Sequence, residues 1–204
     1  MKNVKLILLS MVAVVIMIAS KPGNTGYVVG DKAKDFKLKN VNGKMVSLAD
    51  YKSAKGFIVV FTCNHCPFAK AYESRIMDLD KKYASLGYPV IAISSNDKEA
   101  VPEDAPEKMA SRAKDKNYTF PYLYDESQDI AKTYGATKTP HVFILTKKVG
   151  DLKVEYIGAI DDNSDDATKV KSKYVENALT EIMAGKPVST PTTKAIGCSI
   201  KYRS

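Results

Sequence analysis

Cys63-Asn64-His65-Cys66-Pro67 follows directly on the apolar run Phe57-Ile58-Val59-Val60-Phe61. A continuous run of β-branched and aromatic residues reads as a strand buried on both faces. Beyond the cysteines, Phe68, Tyr72, Ile76, Leu79 and Tyr83 recur at helical spacing, which predicts an amphipathic helix. The two cysteines therefore occupy the turn between a buried strand and a helix. The helix N-terminus aims unpaired N–H groups and positive dipole at them. That favours the thiolate, the form of cysteine that attacks disulfides. The same spacing can close a structural disulfide or hold a metal. A two-residue loop stabilises little through chain entropy. A structural zinc needs two further ligands, and the chain has no second Cys-x-x-Cys and no His-x-x-x-His.

The rest of the chain supplies a sheet for that strand. Phe36 and Leu38, then Asn42-Gly43, then Val46 and Leu48 predict a hairpin with a tight Asn-Gly turn. Pro89–Ser94 is a second buried strand and Tyr122–Tyr124 a short third. Helices are predicted around Lys108–Lys114 and over Ser127–Tyr134, the latter ended by Gly135. His141–Leu145 and Val154–Ile160, linked through Gly150, predict an antiparallel pair. Val170, Tyr174, Ala178 and Ile182 mark a last helix, closed by Gly185-Lys186-Pro187. This order describes an α/β domain over residues 28–185, a central mixed sheet with helices on both faces and an N-terminal hairpin. Residues 186–204, rich in Thr and Pro, read as an extended tail.

Residues 1–20 read as a signal peptide: Lys2 and Lys5, then the apolar stretch Leu6–Ala19, then small residues. An uncleaved anchor is the alternative, and membrane contact is expected only in that case. Export places the chain where disulfides persist. The net charge is +8. The surplus is lysine interspersed with Asp and Glu, with Arg75, Arg112 and Arg203 the only arginines. Such a surface is solvated rather than a nucleic-acid stripe, so no nucleic-acid partner is expected.

Several segments carry a resemblance. Gly30-Asp31-Lys32-Ala33-Lys34-Asp35-Phe36, Asn42-Gly43-Lys44 and Ser47-Leu48 resemble the N-terminal hairpin of the alkyl hydroperoxide reductase/thiol-specific antioxidant branch of the thioredoxin superfamily. Cys63 and Cys66 match its redox motif, Thr139-Pro140 its cis-proline, and Gly158 a glycine of its last strand. More narrowly, Phe61–Phe68, Pro102–Met109, Gly158–Asp162 and Gly197–Tyr202 resemble a peroxiredoxin-like family with a Cys-Asn-His-Cys-Pro motif. The resemblance implies a thioredoxin-like fold and thiol–disulfide exchange with protein or small-molecule thiols, with no bound cofactor. Cys63 is then the attacking thiol and Cys66 the resolving one. Thr139 and Pro140 dock substrate, because a cis bond exposes the preceding backbone to an extended chain. His65 tunes the potential by stabilising the Cys63 thiolate.

The departures set the alternatives. Peroxiredoxins share Pro-x-x-x-Thr-x-x-Cys, but counting back from Cys63 gives Val60 and Gly56 at those places, and from Cys66 gives Cys63 and Val59. Peroxide reduction is the second reading. A copper-binding redox chaperone, with Cys63, Cys66 and His141 as ligands, is the third. Many thioredoxins have a buried acid six residues before the first cysteine; here that residue is Phe57. Asp104 and Glu107 read as surface residues flanking a helix start, and Asp161-Asp162 as a strand-end turn. Cys198 is a possible third thiol. Ile196, Cys198 and Ile200 alternate onto one side of an extended tail. That side is expected to pack, leaving Cys198 slower to alkylate than Cys63 and, in the sharper form, able to pair with Cys63. The plainer reading is a buried small hydrophobe.

Overall fold

The structure, a computed structural model, describes residues 26–148 and 150–203. The leader assigned to residues 1–20 lies outside them. Among the described residues no helix is long and apolar enough to cross a membrane.

The strands are β1 (Lys32–Ala33), β2 (Lys37–Asn40), β3 (Met45–Ser47), β4 (Gly56–Phe61), β5 (Val90–Ser94), β6 (Tyr122–Tyr124), β7 (Lys138–Thr139), β8 (His141–Lys148), β9 (Asp151–Gly158) and β10 (Cys198–Ser199). The helices are α1 (Pro67–Tyr83), α2 (Pro106–Asp115), α3 (Asp129–Tyr134) and α4 (Tyr174–Met183). Eight strands form one mixed sheet in the order β1-β9-β8-β4-β5-β6-β2-β3. β4, β5 and β6 run parallel; β8 is antiparallel to β4 and β9 to β8. β7 and β10 form a separate two-stranded pair.

β4 lies inside the sheet, and its alternation feeds two cores. Ile58 and Val60 face α1, α2 and α4, packing with Tyr72, Ile76, Met109, Val175 and Leu179. Phe57, Val59 and Phe61 face α3 and the N-terminal segment, with Phe36, Leu48 and Tyr134. Helices thus cover both faces, as the pattern predicts. Asn42-Gly43 makes the turn between β2 and β3, with Gly43 at φ +83°.

Other boundaries moved. The last helix begins at Tyr174, because Val170 follows a 3-10 turn over Ala167–Lys169. Asp161 is more than a turn residue. It is buried and accepts two hydrogen bonds from the Arg75 guanidinium, at 2.8 and 2.7 Å, and one from the Tyr72 hydroxyl at 2.9 Å. This ion pair ties the segment after β9 to the middle of α1.

The tail is extended and docked along its length. Its residues around Pro191–Thr193 bond to Ile157 at the end of β9. Cys198 and Ser199 then pair antiparallel with Thr139 and Lys138. Ile200 is buried in the second core, and the Lys201 N–H donates to Asn96 Oδ1 at 2.7 Å. Gln128 straps the end, donating to Lys201 O at 2.9 Å and accepting from Arg203 N at 2.8 Å.

Candidate active site

The strand-to-helix turn places the two motif cysteines as its geometry requires. β4 ends at Phe61, and Cys66 is the residue that caps α1, with Pro67 in the first helical position. Proline costs nothing there, since the first N–H groups of a helix have no intrahelical acceptor. All three cysteines are free thiols. Cys63 donates to Thr139 Oγ1 at 3.3 Å and Cys66 to the Thr139 carbonyl at 3.1 Å. The Thr139-Pro140 bond is cis. Thr139 thus meets both sulfurs, one with its side chain and one with its backbone.

The two thiols differ in opposite directions. A hydrogen bond from Cys63, then contacts from the Cys198 thiol and the N–H groups of Ala69 and Cys198, pull Cys66 well below the usual thiol range. Cys63 is pushed up, first by that same hydrogen bond to Cys66, then by burial and the negative charge of Asp104. Cys66, the capping residue, is the sulfur that sits at the N-terminus of α1, where the helix dipole favours a thiolate.

The acid beside Cys63 comes from an unexpected place. Asp104 is fully buried, not a surface residue. Its Oδ1 accepts the N–H of Asn64 at 2.6 Å and of His65 at 3.1 Å. Its Oδ2 lies 2.6 Å from His65 Nδ1 and accepts Asn96 Nδ2 at 2.7 Å. A Cys63 sulfur, a His65 ring nitrogen and an Asp104 carboxylate oxygen all lie within 4.8 Å of one another. Asn64 closes the loop from the other side, donating to Glu103 O at 2.9 Å and accepting from the buried Tyr122 hydroxyl at 3.1 Å. Such second-row hydrogen bonds fix a histidine's tautomer and orientation. Phe57 packs apolar in the core, and the buried acid near the motif is Asp104, paired with His65.

His141 does not join this cluster. It is buried next to Phe143, and its Nδ1 accepts the Thr137 N–H at 3.3 Å. The donor set that the fold brings together is Cys63, His65 and Asp104, not the Cys63, Cys66 and His141 set of the copper reading. Burial lowers His141 to about 4. Its folded value lies below the unfolded one, so its contribution to stability is full above about pH 6.5 and is lost as pH falls towards 4. We expect about 3 kcal/mol of stability to disappear across that window. Urea unfolding of the full chain at several pH values, compared with His141→Phe, checks this; parallel profiles would refute it.

Cys198 lies on the other side of Cys66. Its N–H donates to Cys66 Sγ at 3.4 Å, and its side chain packs with Cys63, Cys66, Ala69 and Phe68. The tail therefore brings the third thiol to the motif, with its N–H on the Cys66 sulfur. Accessibility also reverses the expectation. Cys63 is 5% exposed, Cys66 0%, and Cys198 is half-buried. Ile200 packs as predicted, while Ile196 is 45% exposed. The three arginines are all held by carboxylates: Arg75 by Asp161, Arg112 by Glu73 and Arg203 by Asp97.

The family model for AhpC/TSA matches residues 29–157, a span that contains both motif cysteines, the Asp104 loop and Thr139-Pro140. The chain belongs to the AhpC/TSA family. Its fold is the thioredoxin-like α/β fold. A crystal structure of an uncharacterised conserved protein from Geobacillus kaustophilus is 40% identical, with a TM-score of 0.79 over 86% of this chain and 93% of that one. The thiol-disulfide oxidoreductase ResA of Oceanobacillus iheyensis is 26% identical over 162 residues, covering 78% of this chain and 80% of that protein. A Mycobacterium tuberculosis protein with a peroxiredoxin name is 29% identical over 107 residues, covering 52% of this chain and 63% of that protein. The AhpC/TSA match stops at Ile157, so Cys198 and its strand lie beyond it.

Proposed function

We propose that this AhpC/TSA chain is an exported thiol–disulfide oxidoreductase working through Cys63 and Cys66. The observation that carries the reading is geometric: the two buried sulfurs at the start of α1 both meet Thr139, Cys63 through its Oγ1 at 3.3 Å and Cys66 through its carbonyl at 3.1 Å. Likeness to ResA, an oxidoreductase by name, supports the same reaction. Export rests on the Lys2–Ala19 leader pattern.

In the reducing direction, Cys63 passes its proton to the His65–Asp104 pair. Its thiolate attacks one sulfur of a substrate disulfide, and the other sulfur leaves as thiolate and takes a proton. Cys66 thiolate then attacks Cys63 Sγ, releases the second substrate thiol and leaves a Cys63–Cys66 disulfide. Cys63 is the entry sulfur because Cys66 is fully buried. Thr139, bonded to both sulfurs, positions them; its backbone edge is paired with β10, so a substrate docking along Thr139-Pro140 has to displace Cys198 and Ser199. His65 tunes the pair through Asp104. Partners are protein or small-molecule thiols and disulfides. Equilibration of the full chain with glutathione buffers, followed by alkylation, tests the reading. It predicts one reversible two-electron transition involving Cys63 and Cys66; no transition would overturn it.

Peroxide reduction remains the second reading, favoured by the relatives that carry peroxiredoxin names. Val60 and Gly56 stand where the peroxidatic threonine and proline belong, and each arginine is bound elsewhere. We therefore expect hydrogen peroxide to oxidise the reduced protein more slowly than a disulfide does. Stopped-flow mixing with each oxidant ranks the two, and a faster reaction with peroxide would reverse the assignment.

A further inference from the structure

We propose that Cys198 is the exit thiol of this site, which takes the disulfide from Cys63 by attacking Cys66 and presents it at the surface as Cys66–Cys198. The inference rests on the exchange reading above and extends it to a third sulfur.

Three observations carry it. The first is that the tail is built into the site. Cys198 pairs with Thr139, the residue bonded to both motif sulfurs. At Gly197 an added Cβ would stand 2.1 Å from the Thr139 carbonyl oxygen, so the strand sits as close as a glycine allows. Ile200 and Lys201 then anchor it on the far side. β10 thus fills the edge of Thr139 along which an extended substrate would otherwise lie. The second is access. Cys63 and Cys66 are buried, whereas Cys198 is half-buried. A folded partner reaches Cys198 more readily than either motif sulfur. The third is the order of the sulfurs. Cys66 packs with both other thiols, and its sulfur accepts the Cys198 N–H at 3.4 Å. Cys66 is therefore the sulfur that can exchange one partner for the other.

The step balances without any outside oxidant. Cys198 loses its proton to solvent and its thiolate attacks Cys66 Sγ. The Cys66–Cys63 bond breaks, its electron pair leaves on Cys63, and Cys63 takes a proton from the His65–Asp104 pair. One disulfide is exchanged for another. The surrounding charge times the step. In the dithiol form burial, then the hydrogen bond and negative charge of Cys66, push Cys198 up to about 11. Once Cys66 is bonded to Cys63 that charge is gone, while Lys201 and Lys138 still favour the Cys198 thiolate.

Diamide oxidation of full-length Cys63→Ser, followed by blocking with N-ethylmaleimide and peptide mapping, tests the step. The proposal predicts an intramolecular Cys66–Cys198 disulfide and no free thiol. The wild-type chain gives the second measurement. After limited oxidation the blocked thiol identifies the isomer: Cys63 for the exit form, Cys198 for the entry form. The proposal predicts that both are found. If Cys63→Ser keeps two alkylatable thiols and wild type is blocked only at Cys198, the exit step is wrong while the exchange reading stands. If oxidised wild type holds no intramolecular disulfide at all, the exchange reading fails and takes this step with it.

Discussion

Asp104→Asn should slow disulfide exchange at neutral pH by about a hundredfold, within the range for loss of a positioned acid–base group. The amide keeps the shape of the carboxylate, and its oxygen can still accept the N–H groups of Asn64 and His65. Its NH2 then meets the Asn96 amide donor, and His65 loses its anionic partner. Asn96 cannot turn over freely, because its own oxygen holds the Lys201 N–H. One buried donor is left unpaired, at a cost of about 1–3 kcal/mol. Two effects on Cys63 oppose each other. The charge of Asp104 pushes the Cys63 thiol up, so neutralising it eases deprotonation. Losing the His65–Asp104 pair removes the group that takes and returns the proton. The expected result is a Cys63 that alkylates at lower pH yet exchanges disulfides more slowly. A variant that folds and exchanges faster would show that Asp104 acts only as a repelling charge.

Gly197→Ala should undock the tail. The added methyl would have to share space with the Thr139 carbonyl carbon and oxygen, which belong to the backbone and cannot swing away. Overpacking of this kind costs about 1–3 kcal/mol. Here the chain can escape it by releasing β10 from β7. Cys63 and Cys66 would then lose their cover, and the Cys198 N–H would leave the Cys66 sulfur. Alkylation of reduced Gly197→Ala should be faster than wild type at Cys63 and Cys66 alike, with only a small change in the unfolding midpoint. Unchanged alkylation of both would mean that the tail contributes no protection to the site.

The parts of this site that lie on one continuous pattern were legible in the sequence. An apolar strand, a Cys-x-x-Cys and a helical apolar stripe are local features, and together they place Cys63 and Cys66 at a helix start. Thr139-Pro140 and the Asn42-Gly43 turn carry equally local signatures. Asp104 carries none. It sits between Glu103 and Pro106-Glu107, where an acid looks like ordinary surface charge. Its burial depends on a 3-10 turn over Pro102–Asp104 folding back onto residues about forty positions earlier. The spacing of acids along the chain does not encode that contact. Cys198 was half legible. The alternation of Ile196, Cys198 and Ile200 pointed to a packed side, and Ile200 packs. Which sulfur Cys198 meets depends on the register of β10 against β7, set by Gly197 and by anchors on Asn96 and Gln128.

If Cys63 and Cys66 exchange disulfides, Cys63 is the entry sulfur and Cys66 the one that resolves it. Trapping with full-length Cys66→Ser tests this most directly. The reduced variant is mixed with a disulfide substrate, quenched with N-ethylmaleimide and mapped by mass spectrometry. A stable mixed disulfide on Cys63 is expected, because the thiolate that would release it has been removed. Persistent adducts on Cys66 in the Cys63→Ser variant, with none on Cys63 in Cys66→Ser, would contradict it.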